Sequence, residues 1–313
     1  MQEKFDLVCV GTALVDSIIK GFDPTPVSAS GYRAKSSALS AGGEAVNVSI
    51  AAAKLGLRAK ILCALGEDGA GAIVKDALSR FGVDMGAVVR GEASTPVTTM
   101  FVNADGTRKS ITNEAHRHNF HPERESTRFT DARAIAVGSL FRAPFDDAEI
   151  ILSVLKTAKA HGMRTFADTK LPNFRALTLA DIREAMPYID FITPNEDEAR
   201  HFSGKTDPSE MARVFLSYGA KNVVVKLGAK GCYYLGEAGQ YRLPAFPVDA
   251  VDATGAGDNF LAGLVCELLR GAEVPDALRF ASACGAICTS AVGASAALQS
   301  RAQVLEFLEK AKL

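Results

Sequence analysis

The sequence lacks an excess of either charge: 35 Lys and Arg face 36 Asp and Glu, for a formal net charge of −1. A general nucleic-acid binder shows a basic excess or stripe, so that class is disfavoured. No apolar run reaches the ~18–20 residues of a membrane span. The first residues, Met1-Gln2-Glu3-Lys4-Phe5-Asp6, are charged and lack the apolar core of a signal peptide. A soluble, cytoplasmic protein is expected, with neither nucleic acid nor membrane as partner. Cysteines stand at 9, 63, 232, 266, 284 and 288, and none form Cys-x-x-Cys. Cys284 and Cys288 share i,i+4 spacing, but no His or acid flanks them. Reduced core thiols of a cytosolic protein explain all six. Internal repeats and low-complexity linkers are also missing, while 48% of the 313 residues are apolar, ample for a sizeable core.

Short β-type runs alternate with helical ones. Strands are expected at 5–11, 59–65, 134–138, 163–167, 191–193 and 222–227. Helices fit 43–55, 69–81, 146–160, 179–186, 208–218, 257–269, 275–291 and 302–311. That alternation implies βαβ units and a largely parallel sheet. Two stretches break the rhythm. Residues 12–40 are polar and Gly/Pro/Ser-rich, with no clear helix. Residues 95–120 hold two β-type runs, 97–103 and 107–112, around Ala104-Asp105-Gly106, and Asp-Gly there signals a hairpin. The expectation is one α/β domain over 1–313, with a small β-sheet lid formed discontinuously from about 12–40 and 95–120.

Residues 248–263 read VDAVDATGAGDNFLAG. An apolar helix pattern starts just after Gly257. Before it lies Thr254-Gly255-Ala256-Gly257, small residues whose N–H groups a ligand can approach closely. Those N–H groups open a helix, where unsatisfied donors and the positive dipole end favour an anion. Asp258 falls in the first turn, beside that anion site. A carboxylate there can accept the proton of a substrate hydroxyl as its oxygen attacks a γ-phosphate, while the backbone donors stabilise the transferring group. A bare Gly-x-Gly-Asp is more often a structural turn. Asp252, Thr254 and the helix behind them shift the balance to chemistry.

Asp252-Ala253-Thr254-Gly255-Ala256-Gly257-Asp258 resembles the second signature of the ribokinase family of carbohydrate and nucleoside kinases, also called the PfkB family. The resemblance implies a ribokinase-like three-layer α/β/α sandwich, ATP and Mg²⁺ as cofactors, an anion hole at Gly255, Ala256 and Gly257, and a catalytic base at Asp258. Ala41-Gly42-Gly43-Glu44-Ala45-Val46-Asn47 and the helix behind it are similar to the first signature. Substrate contacts are therefore implied at Gly42, Gly43 and Asn47. Asp16 matches the family's substrate-binding Asp, and a carboxylate accepts two hydroxyl hydrogens at once. Thr193-Pro194-Asn195-Glu196-Asp197-Glu198 resembles the Asn-x-x-Glu motif, which implies Mg²⁺ held near Asn195 and Glu198, mostly through water. Lys226-Leu227-Gly228-Ala229-Lys230-Gly231 resembles the nucleotide loop, although Lys226 stands where the family often has Thr. ATP contacts are expected at Asn195, Lys226, Gly228, Gly231 and Thr254. In the family, the region matching 282–295 lines the adenine pocket and helps hold a monovalent cation. That implies a K⁺ site at Asp252, Thr254 and Ser295; helix packing explains the small residues there equally well.

The acceptor pocket departs from ribokinase. Glu44 stands for a Lys, Leu14 for an Asn, and Arg142 for a Glu. These changes weaken a ribose assignment. Arg142 and Asp168 are expected acceptor contacts, with Lys170 and Arg175 as secondary candidates. Arg108, Lys109 and His116-Arg117-His118-Asn119-Phe120-His121 follow the hairpin. They read as a solvated loop, as a polar wall for an acidic or phosphorylated sugar, or as a metal site, since His-x-His is a ligand spacing.

The expected activity is transfer of the ATP γ-phosphate to an alcohol, usually a primary hydroxyl, of a sugar or sugar derivative. A nucleoside acceptor is the alternative, with Phe101, Phe120 or Phe141 as a platform for the base. From another class, a non-catalytic sugar or nucleotide binder would be expected to have lost Asp258. A Rossmann dehydrogenase is poorly supported, because Gly11-Thr12-Ala13 lacks Gly-x-Gly-x-x-Gly. Family habit also implies a homodimer through the lid's edge strands.

Overall fold

A computed structural model describes residues 4–21, 34–91, 93–102, 108–113 and 120–311. The chain opens with β1 (Phe5–Val10), then leaves the main sheet for the antiparallel pair β2 (Leu14–Lys20) and β3 (Ser36–Gly42). Helix α1 (Glu44–Lys54) returns it to β4 (Ala59–Leu62). Next come β5 (Ala64–Gly66), α2 (Gly69–Arg80) and β6 (Val89–Gly91), with β5 and β6 paired to each other. The outer sheet is completed by β7 (Val97–Val102) and β8 (Arg108–Thr112). A single turn, α3 (Ser126–Phe129), precedes β9 (Ala132–Leu140), α4 (Ala148–Ala160), β10 (Arg164–Thr169) and β11 (Phe191–Ile192). Then follow α5 (Glu196–Ser203), α6 (Pro208–Ser217) and β12 (Asn222–Lys226). The hairpin β13 (Cys232–Gly236) and β14 (Gly239–Leu243) leads to α7 (Ala256–Leu269), α8 (Val274–Cys288) and α9 (Arg301–Lys310).

The main sheet runs β14-β13-β12-β11-β10-β9-β1-β4. It is parallel from β4 to β12, and β13 and β14 extend it antiparallel. Alternation along β1 shows why helices cover both faces. Leu7 and Cys9 join one apolar cluster with residues of α1, α2, α7, α8 and α9. Val8 and Val10 point the other way, into a cluster with α4, α5 and α6. The result is a three-layer α/β/α sandwich. The four-stranded outer sheet, β3-β2-β7-β8, branches from the carboxyl end of β1. Parallel α/β sheets bind ligands beyond the carboxyl ends of their strands, and this sheet grows from that edge.

Two expectations need adjusting. Residues 179–186 are a chain of turns ending in a single 3₁₀ turn at Met186–Tyr188. The Thr178 N–H and hydroxyl both donate to Asp181 Oδ2 at 2.7 Å. Pro187 then offers no N–H to carry an α-helical ladder onward. The apolar spacing there reflects burial of Leu179, Ile182 and Ala185 rather than a helix. The expected Asp105-Gly106 turn lies outside the described residues. Its flanking strands do pair antiparallel, with Thr98 opposite Thr112.

Candidate active site

Two helix starts meet at the carboxyl edge of the sheet. Gly42 closes β3 just before α1, and a Cβ built there would lie 2.2 Å from Asp16 Oδ2. Only glycine leaves Asp16 room to lean over the start of α1. At the start of α7, Gly255 has φ 77°, and a Cβ on it would lie 2.2 Å from Ala294 Cβ. The first turn of α7 carries the buried Asp258. Asn47, one turn into α1, donates from Nδ2 to Asp258 Oδ2 at 2.7 Å. No hydrogen bond among the described residues engages Asp258 Oδ1 or the Asp16 carboxylate. Of the expected anion-hole amides, Ala256 N–H turns back to Ala253 O at 3.2 Å, which leaves those of Gly255 and Gly257.

Glu44, Asp168 and Asp258 are all buried, with one carboxylate oxygen of each within 4.8 Å of the others. Burial, above all, raises the Asp258 carboxyl above its usual range. The Lys170 ammonium and the Asn47 amide pull it back, and Asp168 adds to the rise. Glu44 is pushed well up by burial and by Asp168, against Lys170, whose Nζ is 4.0 Å from Glu44 Oε2. Ser139 Oγ donates to Glu44 Oε2 at 2.7 Å, while Glu44 Oε1 is buried without a hydrogen-bond partner. Asp16 is raised to about 6, mainly by burial and then by Asp258.

Both oxygens of Asp168 are engaged. Oδ1 accepts from Thr169 N and Thr193 Oγ1, each at 3.0 Å, and Oδ2 accepts from Lys226 Nζ at 2.6 Å. Lys226 Nζ also lies 3.0 Å from where a Cβ on Gly257 would stand, directly over the start of α7. Two ammonium groups, Lys170 and Lys226, thus already offset part of the charge of the acidic trio. It is an ion-pair network rather than a metal cage.

Asn195 and Glu198 form a capping box at the start of α5. Asn195 Oδ1 accepts from Glu198 N, and Glu198 Oε2 accepts from Asn195 N, both at 2.9 Å. Thr169 Oγ1 donates to the same Oε2 at 2.9 Å. Burial, then Asp168, raises the Glu198 carboxyl. Gly228 and Gly231 bracket the single turn between β12 and β13. Asp252 Oδ1 accepts from Thr254 N and Oγ1, and Oδ2 accepts from Gly293 N at 3.0 Å.

Sequence reasoning missed two positioning residues. Asn259 Nδ2 donates to Gly255 O and Ala294 O, both at 2.8 Å, locking the start of α7 onto the 293–295 loop. Lys54 Nζ donates to Ser295 O at 2.5 Å and Leu298 O at 2.8 Å, and lies 4.3 Å from the centre of the Phe81 ring. Its only sequence signal is one cation ending a helix of small and apolar residues.

Other candidates lie apart. Arg142 Nε donates to Leu171 O at 2.8 Å. Arg175 pairs with Asp147 at 2.6 Å, on the lip rather than in the trio. His116, Arg117, His118 and Asn119 fall outside the described residues, as does the Arg108 side chain. Lys109 is exposed, and His121 Nδ1 is 3.1 Å from Glu123 Oε1. Phe120 and Phe141 are buried, with Phe141 stacked on Phe202 at 4.0 Å, so neither presents a ring face to the cleft.

An α/β/α sheet with a buried carboxylate at a glycine-rich helix start, facing ion-paired lysines, defines a phosphoryl-transfer enzyme acting on a small molecule. Comparison with known proteins makes this specific. Residues 4–301 match the pfkB family carbohydrate kinases. A ribokinase of Haemophilus influenzae is 30% identical over 279 residues, covering 86% of this chain and 88% of that protein. Fructokinase-1 of Zea mays is 27% identical and covers 97% of this chain and 98% of its own length. The structure of Arabidopsis thaliana ribokinase complexed with ribose and ATP superposes with a TM-score of 0.85 at 24% identity, covering 99% of both chains. The chain belongs to the pfkB family of carbohydrate kinases, with the ribokinase-like fold. It is an ATP-dependent enzyme that phosphorylates a sugar.

Asp16 gives a test of this geometry. A raised carboxyl favours folding while protonated. That contribution is complete below about pH 4, the ordinary Asp value, and is lost as pH rises through about 6. Asp16→Asn is therefore expected to stabilise the ligand-free protein by on the order of 1–2 kcal/mol at pH 7 and by little at pH 4. Urea midpoints at the two pH values measure this; an unchanged midpoint at pH 7 would show that Asp16 carries no burial penalty.

Proposed function

We propose that Asp258 is the general base that takes the proton of a sugar hydroxyl while that oxygen attacks the γ-phosphorus of ATP. The observation that carries this is the buried Asp258 itself: one oxygen held by Asn47, the other unbonded, and the N–H groups of Gly255 and Gly257 beside it. Asp16, Gly43 and Asn47 orient the acceptor, and Asp16 offers both its oxygens. The new bond joins the acceptor oxygen to γ-phosphorus, the bond to the β–γ bridging oxygen breaks, and ADP leaves. Lys226, over the start of α7, meets the phosphates. Asp168 is a positioning residue for Lys226, since its oxygens are already engaged. Gly228, Gly231 and Thr254 shape the remainder of the nucleotide site.

The donor set at α5 fits a hydrated Mg²⁺. Glu198 Oε2 is spent on Thr169 and Asn195, which leaves Oε1 to accept from a metal-bound water. Such an ion would neutralise charge on the phosphates. Of the three rings that could serve a base, Phe120 and Phe141 are buried and Phe101 on β7 is half-buried, so a nucleoside acceptor would have to use Phe101. The outer sheet acts as a lid that excludes water on closing. Leu39 on β3 and Ile111 on β8 are 61% and 69% exposed on its two edges, which supports a homodimer formed through the lid. Six free, buried thiols suit a reducing cytoplasm. No helix among the described residues is long and apolar enough to cross a membrane. The expected K⁺ would sit by Asp252 and Thr254, where Lys54 already holds the neighbouring Ser295 carbonyl.

An ADP-release assay over neutral sugars, sugar acids, sugar phosphates and nucleosides identifies the acceptor. With it, Asp258→Asn is expected to cut kcat by about 10²–10⁴ while ligand binding persists; undiminished turnover would overturn the base assignment. Replacing Na⁺ by K⁺ is expected to raise the rate, and equal rates would leave Lys54 as the loop's only cation. Wild type is expected to sediment as a dimer that L39K/I111K converts to monomer. A monomeric wild type would sink the lid interface.

A further inference from the structure

Lys170 follows β10, and its N–H donates to Leu140 O at 2.9 Å, which anchors it to the carboxyl edge of the sheet. Its side chain is 37% exposed, whereas Glu44 and Asp168 lie buried behind it. Four carboxylates face its ammonium: Glu44, Asp168, Asp258 and Glu198. Burial opposes the charge, and the four acids outweigh it and hold Lys170 protonated. None of them forms a hydrogen bond with it, and Glu44 Oε2 stands off at 4.0 Å. Lys226 differs, being committed to Asp168 at 2.6 Å. Lys170 is thus a charged, uncommitted triple donor on the cleft wall. Its charge is felt by both Asp258, the proposed base, and Glu198, at the proposed metal side.

We infer that Lys170 is a further catalytic residue, whose ammonium donates hydrogen bonds to the oxygens of the phosphoryl group in flight. The inference rests on the proposed roles of Asp258 and Glu198. The need for such a group follows from charge. Asp16, Glu44, Asp168, Glu198 and Asp258 surround the cleft, and among the described residues Lys226 is the other ammonium that meets them. A phosphoryl group whose charge spreads over three oxygens would otherwise cross a field of carboxylates. Lys170 keeps its proton throughout; the acceptor's proton goes to Asp258.

The test compares Lys170→Met, Lys170→Ala and Lys170→Arg with wild type in the ADP-release assay. Lys170→Met is expected to lower kcat by about 10²–10³, with KM for ATP and acceptor within about threefold. Lys170→Arg should retain more activity than Lys170→Met. Ethylamine should restore part of the turnover of Lys170→Ala, in proportion to its protonated fraction. Removing an ammonium beside Asp258 raises that carboxyl further, so the acid limb of kcat should move to higher pH. A kcat within threefold of wild type in Lys170→Met overturns the inference. So does a fall in kcat with no amine rescue and an unmoved acid limb, the signature of a merely structural lysine. If Lys170→Ala does not fold, the Met and Arg variants and their pH profiles decide. Undiminished turnover in Asp258→Asn would fail the base assignment separately, leaving the Lys170 comparison readable.

Discussion

The Asp168–Lys226 pair, 2.6 Å apart and with side chains 1% and 13% exposed, ties the carboxyl ends of β10 and β12 together across the two-residue strand β11. Breaking such a pair by removing one partner costs about 3–5 kcal/mol, because the other charge is left buried and alone. The sheet edge is therefore committed to this geometry. Thr193, just past β11, fixes the second oxygen of Asp168, so all three strands deliver groups to one carboxylate. Lys226 is in turn laid over the start of α7. The placement of an ammonium above an anion site is thus a consequence of strand order and register rather than of any local motif.

The opposite wall is set by α1 and α7. Asn47 and Asp258 lie near the starts of their helices, and packing of those helices brings the amide to the carboxylate. Asn259, the next residue along α7, reaches the 293–295 loop. A Cβ at Gly42 would collide with Asp16, and one at Gly255 with Ala294, so both helix starts depend on glycine. Gathering carboxylates here has a stability cost, seen in the raised carboxyls of Asp258 and Asp16, and for Asp258 the same burial suits the proton-accepting role proposed above.

How much of this was legible in the sequence follows from the range of each interaction. Asp258, the glycine run and α7 are contiguous, and a short-range physical reading finds them. The capping box of Asn195 and Glu198 spans one helical turn and was visible as spacing, but its Thr169 partner was not. Lys170 and Lys226 gave no local signal that they flank one acid cluster, since register alone places them there. The helix expected at 179–186 failed because apolar period is shared by any buried segment, while Pro187 and the Thr178–Asp181 bonds decide the backbone. The hairpin β13–β14 was missed because the glycines Gly228 and Gly231 drew the reading to a nucleotide loop, although a Cβ on Gly231 would meet the backbone at the end of β14.

The charge balance of the cleft also constrains how the nucleotide enters. Among the described residues, Asp16, Glu44, Asp168, Glu198 and Asp258 face the ammonium groups of Lys170 and Lys226, so acidic groups outnumber basic ones in the cleft. A bare polyphosphate would be repelled by it. The excess lies on the acceptor and metal sides, whereas Gly255, Gly257 and Lys226 present donors on the phosphate side. In the proposed reaction the counter-cation faces Glu198, and the acceptor faces Asp16 and the unpartnered Glu44 Oε1, which the hydroxyls of a sugar can satisfy.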